Sequence, residues 1–477
     1  MSGSTSINPA TGDQLAFYPW HSEDELTTRL NRSASAYARW RTTTVERRCT
    51  VLSELATLLR QDALALAELI TREMGKPFAR AREEVEKCAT LCDWYSAEAL
   101  HLLADEHPDL GDEGRAIVRY EPLGIVLGVM PWNFPLWQVL RAAVPVLAAG
   151  NAFVLKHADN VQGSAFALEA LIARTSAPPG ILTNLNCYRA ALPRLIADPR
   201  IVGVSVTAGV AAGSAIAAEA GRHLKRSVLE LGGSDPFIVL ADADLDVTVP
   251  AAVEARFQNS GQVCIAGKRI IVEEAIADEF TRRFVSAVAD LKVGDPLDPS
   301  VDLGPIARHR QRDELINQVA RSVEMGAKVL LKGASLPGPG AFLTPTVLSE
   351  VTPDMPVFAE ETFGPVAPII RADSPEAALA LANASNFGLC GSIWTRDVSA
   401  GQRLAERVES GGLFVNRVAA SDPRVPIGGI RNSGYGRELS HFGIREFCNV
   451  KLIMLPGSKQ PVISGQSHQR VNQDPDV

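Results

Sequence analysis

The chain has 477 residues, 46% of them hydrophobic and 21% charged, with a formal net charge of −8. That length is too great for one core and implies two or three domains. The acidic balance, with no basic run or tail, argues against nucleic acid or an anionic membrane as a partner.

Seven cysteines are present (49, 88, 92, 187, 264, 390 and 448). An odd number with no secretory segment ahead of them fits a reducing compartment, so a cytoplasmic location is expected. Residues 1–9 lack the basic and apolar regions of a signal peptide. No His or Cys cluster has metal-ligand spacing, and Cys88 and Cys92, four apart in a helical pattern, read as core thiols.

Residues 22–104 read as a run of helices. Ser22 followed by Glu23, Asp24 and Glu25 is a helix start, and Gly75-Lys76-Pro77 is a break. Residues 115–121 read as a strand. The most apolar stretch, 123–150, is interrupted by Asn133, Gln138, Arg141 and three prolines, which argues against a membrane span. From 125 to 231, strand-like runs at 125–130, 152–156, 182–187, 201–206 and 227–231 alternate with helix-like segments at 136–149, 161–173, 191–197 and 211–221. That alternation predicts a doubly wound parallel sheet, with ligands beyond the carboxyl ends of its strands. A second α/β pattern follows, with strands at 236–240, 268–273, 328–331, 391–395 and 412–416 and helices between them. Residues 447–455 are strand-like, and the polar tail after Pro456 reads as loose. The expected domains are 1–106 with 122–232 for dinucleotide binding, 233–430 for catalysis, 107–121 with 447–460 as bridging strands, and a tail at 461–477.

Three residues carry candidate chemistry. Cys264 follows Asn259-Ser260-Gly261-Gln262-Val263. Small and loop-forming neighbours suit a nucleophilic thiol, although a lone cysteine is more often an inert core residue. Glu230 ends an apolar strand ahead of Gly232-Gly233, as either a base facing a cleft or a cap for the next element. Asn133 lies in Pro131-Trp132-Asn133-Phe134-Pro135 after a buried strand, where its amide either holds an oxyanion or forms a turn.

These motifs, in order, resemble the aldehyde dehydrogenase superfamily over nearly the whole chain. The match runs from Ile7-Asn8-Pro9-Ala10-Thr11-Gly12 to Phe447-Cys448-Asn449-Val450-Lys451. It includes Glu230-Leu231-Gly232-Gly233, Gly261-Gln262-Val263-Cys264, Glu361-Thr362-Phe363-Gly364-Pro365, Pro426-Ile427-Gly428-Gly429 and Ser433-Gly434-Tyr435-Gly436-Arg437-Glu438. The resemblance implies an α/β fold with a cofactor domain, a catalytic domain and a small β bridging element. It also implies a homodimer or homotetramer, and oxidation of an aldehyde through a cysteine thiohemiacetal and thioester. Cys264 would attack, Asn133 and the Cys264 amide would hold the oxyanion, and Glu230 would activate water. Glu438 would relay protons or order its loop.

The resemblance further implies NAD or NADP as cofactor. Met130, Pro131, Trp132 and Leu231 would line its site, and Lys156 and Asp159 would meet the adenosine ribose. Asp159 would give NAD a weak preference by repelling a 2′-phosphate. Ala208 and Gly209 would meet the pyrophosphate, Glu361 the nicotinamide ribose, and Phe363 the ring. Here Thr207-Ala208-Gly209-Val210 stands in place of the family's Thr-Gly-Ser, which predicts weakened or shifted cofactor binding. No metal is implied. Lys156-His157-Ala158, Ala420-Ser421-Asp422-Pro423 and the segment from Gly434 to Ser440 resemble bacterial NAD(P)-dependent succinate-semialdehyde dehydrogenases. Arg141 falls where that group binds a substrate carboxylate, or else pairs with a structural acid, and Ser421 is placed beside the substrate. A second arginine found in some members is Gln258 here, with Arg256 two residues earlier. Three other readings remain: a general aliphatic or aromatic aldehyde dehydrogenase, a CoA-acylating enzyme, disfavoured by Glu230, and a non-catalytic fold relative.

Overall fold

The computed structural model describes residues 2–457. The expected loose tail at 461–477, and residues 458–460 of the bridging segment, lie outside the described residues.

The chain opens with a hairpin of β1 (Gly3–Ile7) and β2 (Gln14–Pro19), which the polar N-terminal sequence did not reveal. Four helices follow at Glu23–Trp40, Val45–Gln61, Ala63–Met74 and Phe78–Leu102. The first starts where the sequence places it. The Ser22 hydroxyl accepts from the Glu25 amide at 3.2 Å, and the Glu25 carboxylate accepts from the Ser22 amide at 2.7 Å. Both orphan donors are thereby satisfied. Gly75, at φ 83°, ends the third helix in the left-handed conformation that glycine adopts without penalty.

After β3 (Gly114–Pro122), the first sheet is built from β4 (Ile125–Met130), β5 (Ala152–His157), β6 (Leu182–Asn184), β7 (Ile201–Thr207) and β8 (Arg226–Glu230). These five strands run parallel in the order β8-β7-β4-β5-β6. All six residues of β5 are buried, as expected of a strand covered on both faces.

The second sheet contains β9 (Asp235–Val239), β10 (Gly267–Glu273), β11 (Lys328–Leu331), β12 (Thr346–Ser349), β13 (Val366–Ala372), β15 (Cys390–Trp394) and β16 (Gly412–Val415). Its order is β11-β12-β13-β10-β9-β15-β16, with only β11 antiparallel to its neighbour. The sequence expectation lacked β12 and β13. β12 is only four residues long, and β13 carries Pro368, which normally argues against a central strand. The short strands β14 (Phe387–Gly388) and β17 (Ile430–Arg431) pair with each other. β18 (Gly434–Tyr435) then returns to the first sheet, antiparallel to β8, with Gly434 opposite Glu230. This sixth strand was also absent from the expectation, because two residues carry no periodicity.

β19 (Cys448–Pro456) pairs antiparallel with β3 along its full length, from Cys448 opposite Pro122 to Pro456 opposite Gly114. Alternate residues Val450, Leu452 and Met454 of this ribbon are exposed. One large core packs the first sheet, and two more cover the faces of the second. Among the described residues, no helix is long and apolar enough to cross a membrane.

Candidate active site

β4 is hydrogen-bonded to both β5 and β7, so the strand order reverses beside it. Such a switch point leaves a crevice at the strand carboxyl ends. A cleft of about 360 Å³ opens there. It is lined by Pro131, Trp132 and Asn133 after β4, by Thr207, Ala208 and Gly209 after β7, and by Leu231 and Gly232 after β8. Cys264, Glu361 and Phe363 face it from the second unit. The sequence motifs, hundreds of residues apart, therefore meet at one place.

The thiol sits on a tightly held loop. Past the helix Leu245–Phe257, Asn259, Ser260 and Gly261 adopt φ of 52°, 55° and 73°. A side chain at Gly261 would bring its Cβ within 2.4 Å of the Gly364 carbonyl oxygen, so only glycine fits. Arg256 is fully buried and donates to the carbonyls of Val366 (2.5 Å), Thr362 (2.9 Å) and Gly364 (2.5 Å). It ties the Cys264 loop to the Glu361 turn. Asn259 Nδ2 donates to the Asn133 carbonyl at 2.9 Å, and Asn133 Nδ2 to the Gln262 carbonyl at 3.1 Å. The second hydrogen of Asn133 Nδ2 remains for a ligand oxygen beside Cys264.

Two residues missed in the sequence complete this frame. Lys268 donates to the Cys264 carbonyl at 2.6 Å and to Glu361 Oε1 at 3.0 Å. Its only signal was a charge opening an apolar strand. Glu84, buried and paired with Lys76, accepts from the backbone amides of Leu136 (2.9 Å) and Trp137 (3.0 Å). It thus caps the helix Trp137–Ala148 and fixes the turn that carries Asn133. A helical acid 52 residues away in sequence gives no local hint of this.

Glu230, at the end of β8, is buried, and burial pushes its carboxyl up to about 8, against the pull of the Arg141 charge. Burial also raises the Cys264 thiol to about 11, while Arg141 and Lys268 draw it down. Burial thus favours the protonated form of each group. Arg141 is buried between two acids: its Nε pairs with Glu438, and its Nη2 lies 3.7 Å from Glu230. Glu438 also accepts from Ser205 Oγ at 3.1 Å. Ser421 stands apart from the cleft, in a small cavity with Cys390, Phe414 and Gly428.

On the other side, Lys156 donates to Asp159 Oδ1 at 2.7 Å at the end of β5. Met130 ends β4 beneath the turn, its carbonyl 3.2 Å from His157 Nδ1. Ala208 does not occupy the left-handed region, so the expected strain of alanine in place of glycine is not present. Gly209 precedes the helix Val210–Arg222, whose first turn has no side-chain cap. Its free amides suit a phosphate. Glu361 Oε1 accepts from the Gly233 amide at 3.1 Å, and Trp132 meets Phe363 edge-on at 5.7 Å. A lysine and an acid at one end, uncapped amides in the middle and a carboxylate beside a ring near the thiol fit an extended dinucleotide.

The aldehyde dehydrogenase family model matches residues 2–453. The chain belongs to the aldehyde dehydrogenase family. It is 50% identical over 448 residues to succinate semialdehyde dehydrogenase [NAD(P)+] of Escherichia coli (strain K12), covering 94% of this chain and 97% of that protein. It is 44% identical to succinate-semialdehyde dehydrogenase [NADP(+)] of Mycobacterium avium (strain 104), over 97% of this chain and 98% of the relative. The solved structure of succinic semialdehyde dehydrogenase from Streptococcus pyogenes, in complex with NADP+, superposes with a TM-score of 0.93 at 36% identity, covering 95% of this chain and 100% of that one. This family member is an NAD(P)-dependent aldehyde dehydrogenase, and both the α/β fold and the cofactor class read from the motifs stand.

Proposed function

We propose that the chain oxidises succinate semialdehyde, or a related semialdehyde, to the carboxylic acid without transfer to CoA. The placement of Cys264 and Asn133 along one cleft, with the Glu230 carboxyl close enough to act on the Cys264 thiol, carries this reading, and the names of the similar enzymes support its substrate class.

Cys264 Sγ loses its proton and attacks the aldehyde carbonyl, and the oxyanion accepts hydrogen bonds from Asn133 Nδ2 and the Cys264 amide. Removing one such donor costs about 10²–10³ in rate. When bound, the dinucleotide supplies the hydride acceptor at its nicotinamide ring. The acyl group left on Cys264 is released by water deprotonated at Glu230. Arg141 supplies positive charge near both groups, and Ser421 a hydroxyl on the substrate side. Glu438 holds Arg141 in place and offers a carboxylate for proton relay.

The carboxylate of Asp159 would meet an adenosine 2′-hydroxyl and repel a 2′-phosphate. Lys156 already pairs with it, so the resulting preference for NAD is weak. The apolar row Val450, Leu452 and Met454 on the β3–β19 ribbon suits burial against a second copy, as a homodimer or homotetramer. All seven cysteines are free thiols, which supports a reducing compartment such as the cytoplasm.

The deciding experiment is NAD(P)H absorbance with a panel of semialdehydes and uncharged aldehydes, for wild type and C264A. Turnover is expected with semialdehydes in wild type and none with any aldehyde in C264A. Full turnover in C264A, or CoA-dependent acylation in wild type, overturns the reading.

A further inference from the structure

Lys87 is a half-buried cation on the helix Phe78–Leu102 that the chemistry above does not use. Its Nζ donates to Ser421 Oγ at 2.9 Å and lies 4.2 Å from the centre of the Trp137 ring. Ser421 in turn lines the cavity with Cys390, Phe414 and Gly428. That cavity adjoins Cys264 and Glu230. Cys390 and Phe414 pack in one cluster with Cys264, and a Cβ on Gly428 would lie 3.0 Å from Glu230 Oε1.

The other cations near the site already have carboxylate partners or, for Arg256 and Arg437, spend their donors on backbone carbonyls. Arg141 is held by Glu438 and Glu230, Lys76 by Glu84, Lys156 by Asp159 and Lys268 by Glu361. Asp422, beside Ser421, pairs with Arg424 at 2.6 Å. Among the described residues, Lys87 has no ion-pair partner. Its ammonium meets one neutral hydroxyl and an aromatic face, which leaves N–H donors for an incoming anion. Burial, followed by the nearby Arg141 charge, draws Lys87 down to about 8, and the Cys88 and Glu84 charges offset this only in part. Asp422 feels the Lys87 charge without forming an ion pair with it.

We propose that Lys87 is the direct ion-pair partner of the substrate's distal carboxylate, with Ser421 Oγ beside it, and that it sets the preference for a semialdehyde over an uncharged aldehyde. This rests on the semialdehyde reading above. Arg141 then contributes through its field, since its guanidinium is occupied by protein carboxylates.

The test is steady-state kinetics of wild type, K87M and K87R with succinate semialdehyde and with butanal, which has the same carbon count and no carboxylate. K87M is expected to raise KM for succinate semialdehyde by about 10- to 100-fold, the range of one charge-assisted hydrogen bond, and to affect butanal far less. K87R should recover most of the loss, because it restores the charge. Butanal turnover also reports that the variant is folded. Equal losses on both substrates, or an unchanged KM for succinate semialdehyde, overturn the assignment. A wild type that does not prefer succinate semialdehyde to butanal sinks the semialdehyde reading itself, and this assignment with it.

Discussion

The two walls of the cleft are built on opposite terms. On the thiol side, Arg256, Asn259, Gly261 and Lys268 fix the backbone through buried hydrogen bonds and a left-handed turn with no space for a side chain. On the dinucleotide side, Thr207, Ala208 and Gly209 lead into a helix with no side-chain cap, and a Cβ on Gly209 would meet nothing within 4 Å. Covalent chemistry tolerates little displacement, whereas a phosphate needs only a set of backbone donors. Constraint is therefore concentrated where bonds are made.

The largest test of this contrast is E230Q. Loss of the base should lower kcat by about 10²–10⁴ and leave an acylated Cys264 detectable by mass. In wild type, a carboxyl raised to about 8 is a base only above that pH, so kcat should climb as pH rises through about 8. E230Q should lose that limb. A retained limb would place the base elsewhere. Next, G261A forces alanine into a left-handed φ and against the Gly364 carbonyl. A stability loss of about 1–3 kcal/mol, read from the denaturant midpoint, is expected. A variant as stable as wild type would show that the thiol wall is less rigid than described. The smallest effect belongs to G209A, which should change stability by less than about 0.5 kcal/mol and the dinucleotide Kd by less than about threefold, measured by calorimetry. A large loss there would erase the difference between the walls.

Much of this was legible in the sequence. The first sheet announced itself because its strands are continuous apolar runs separated by helical patterns, and Cys264, Asn133 and Glu361 occupy ordered motifs. What escaped reading was what depends on distant partners. β13 hides behind Pro368, β18 has two residues, and Lys268 and Glu84 resemble ordinary charges until their partners are known. The expected strain at Ala208 came from its departure from the family's Thr-Gly-Ser motif, and the backbone there makes no demand that alanine fails to meet. Arg141 had two open roles in the sequence, and its neighbours Glu438 and Glu230 are visible only in three dimensions.

Glu84 has a consequence for how the enzyme is assembled. Its carboxylate closes the turn bearing Asn133 only after the helix Phe78–Leu102 has docked, and Lys76 must arrive from the break before that helix. Asn133, the proposed oxyanion donor, and the N-terminal helical layer are thus expected to form as one unit. Damage to that layer, far from any reacting atom, is felt first as a misplaced amide.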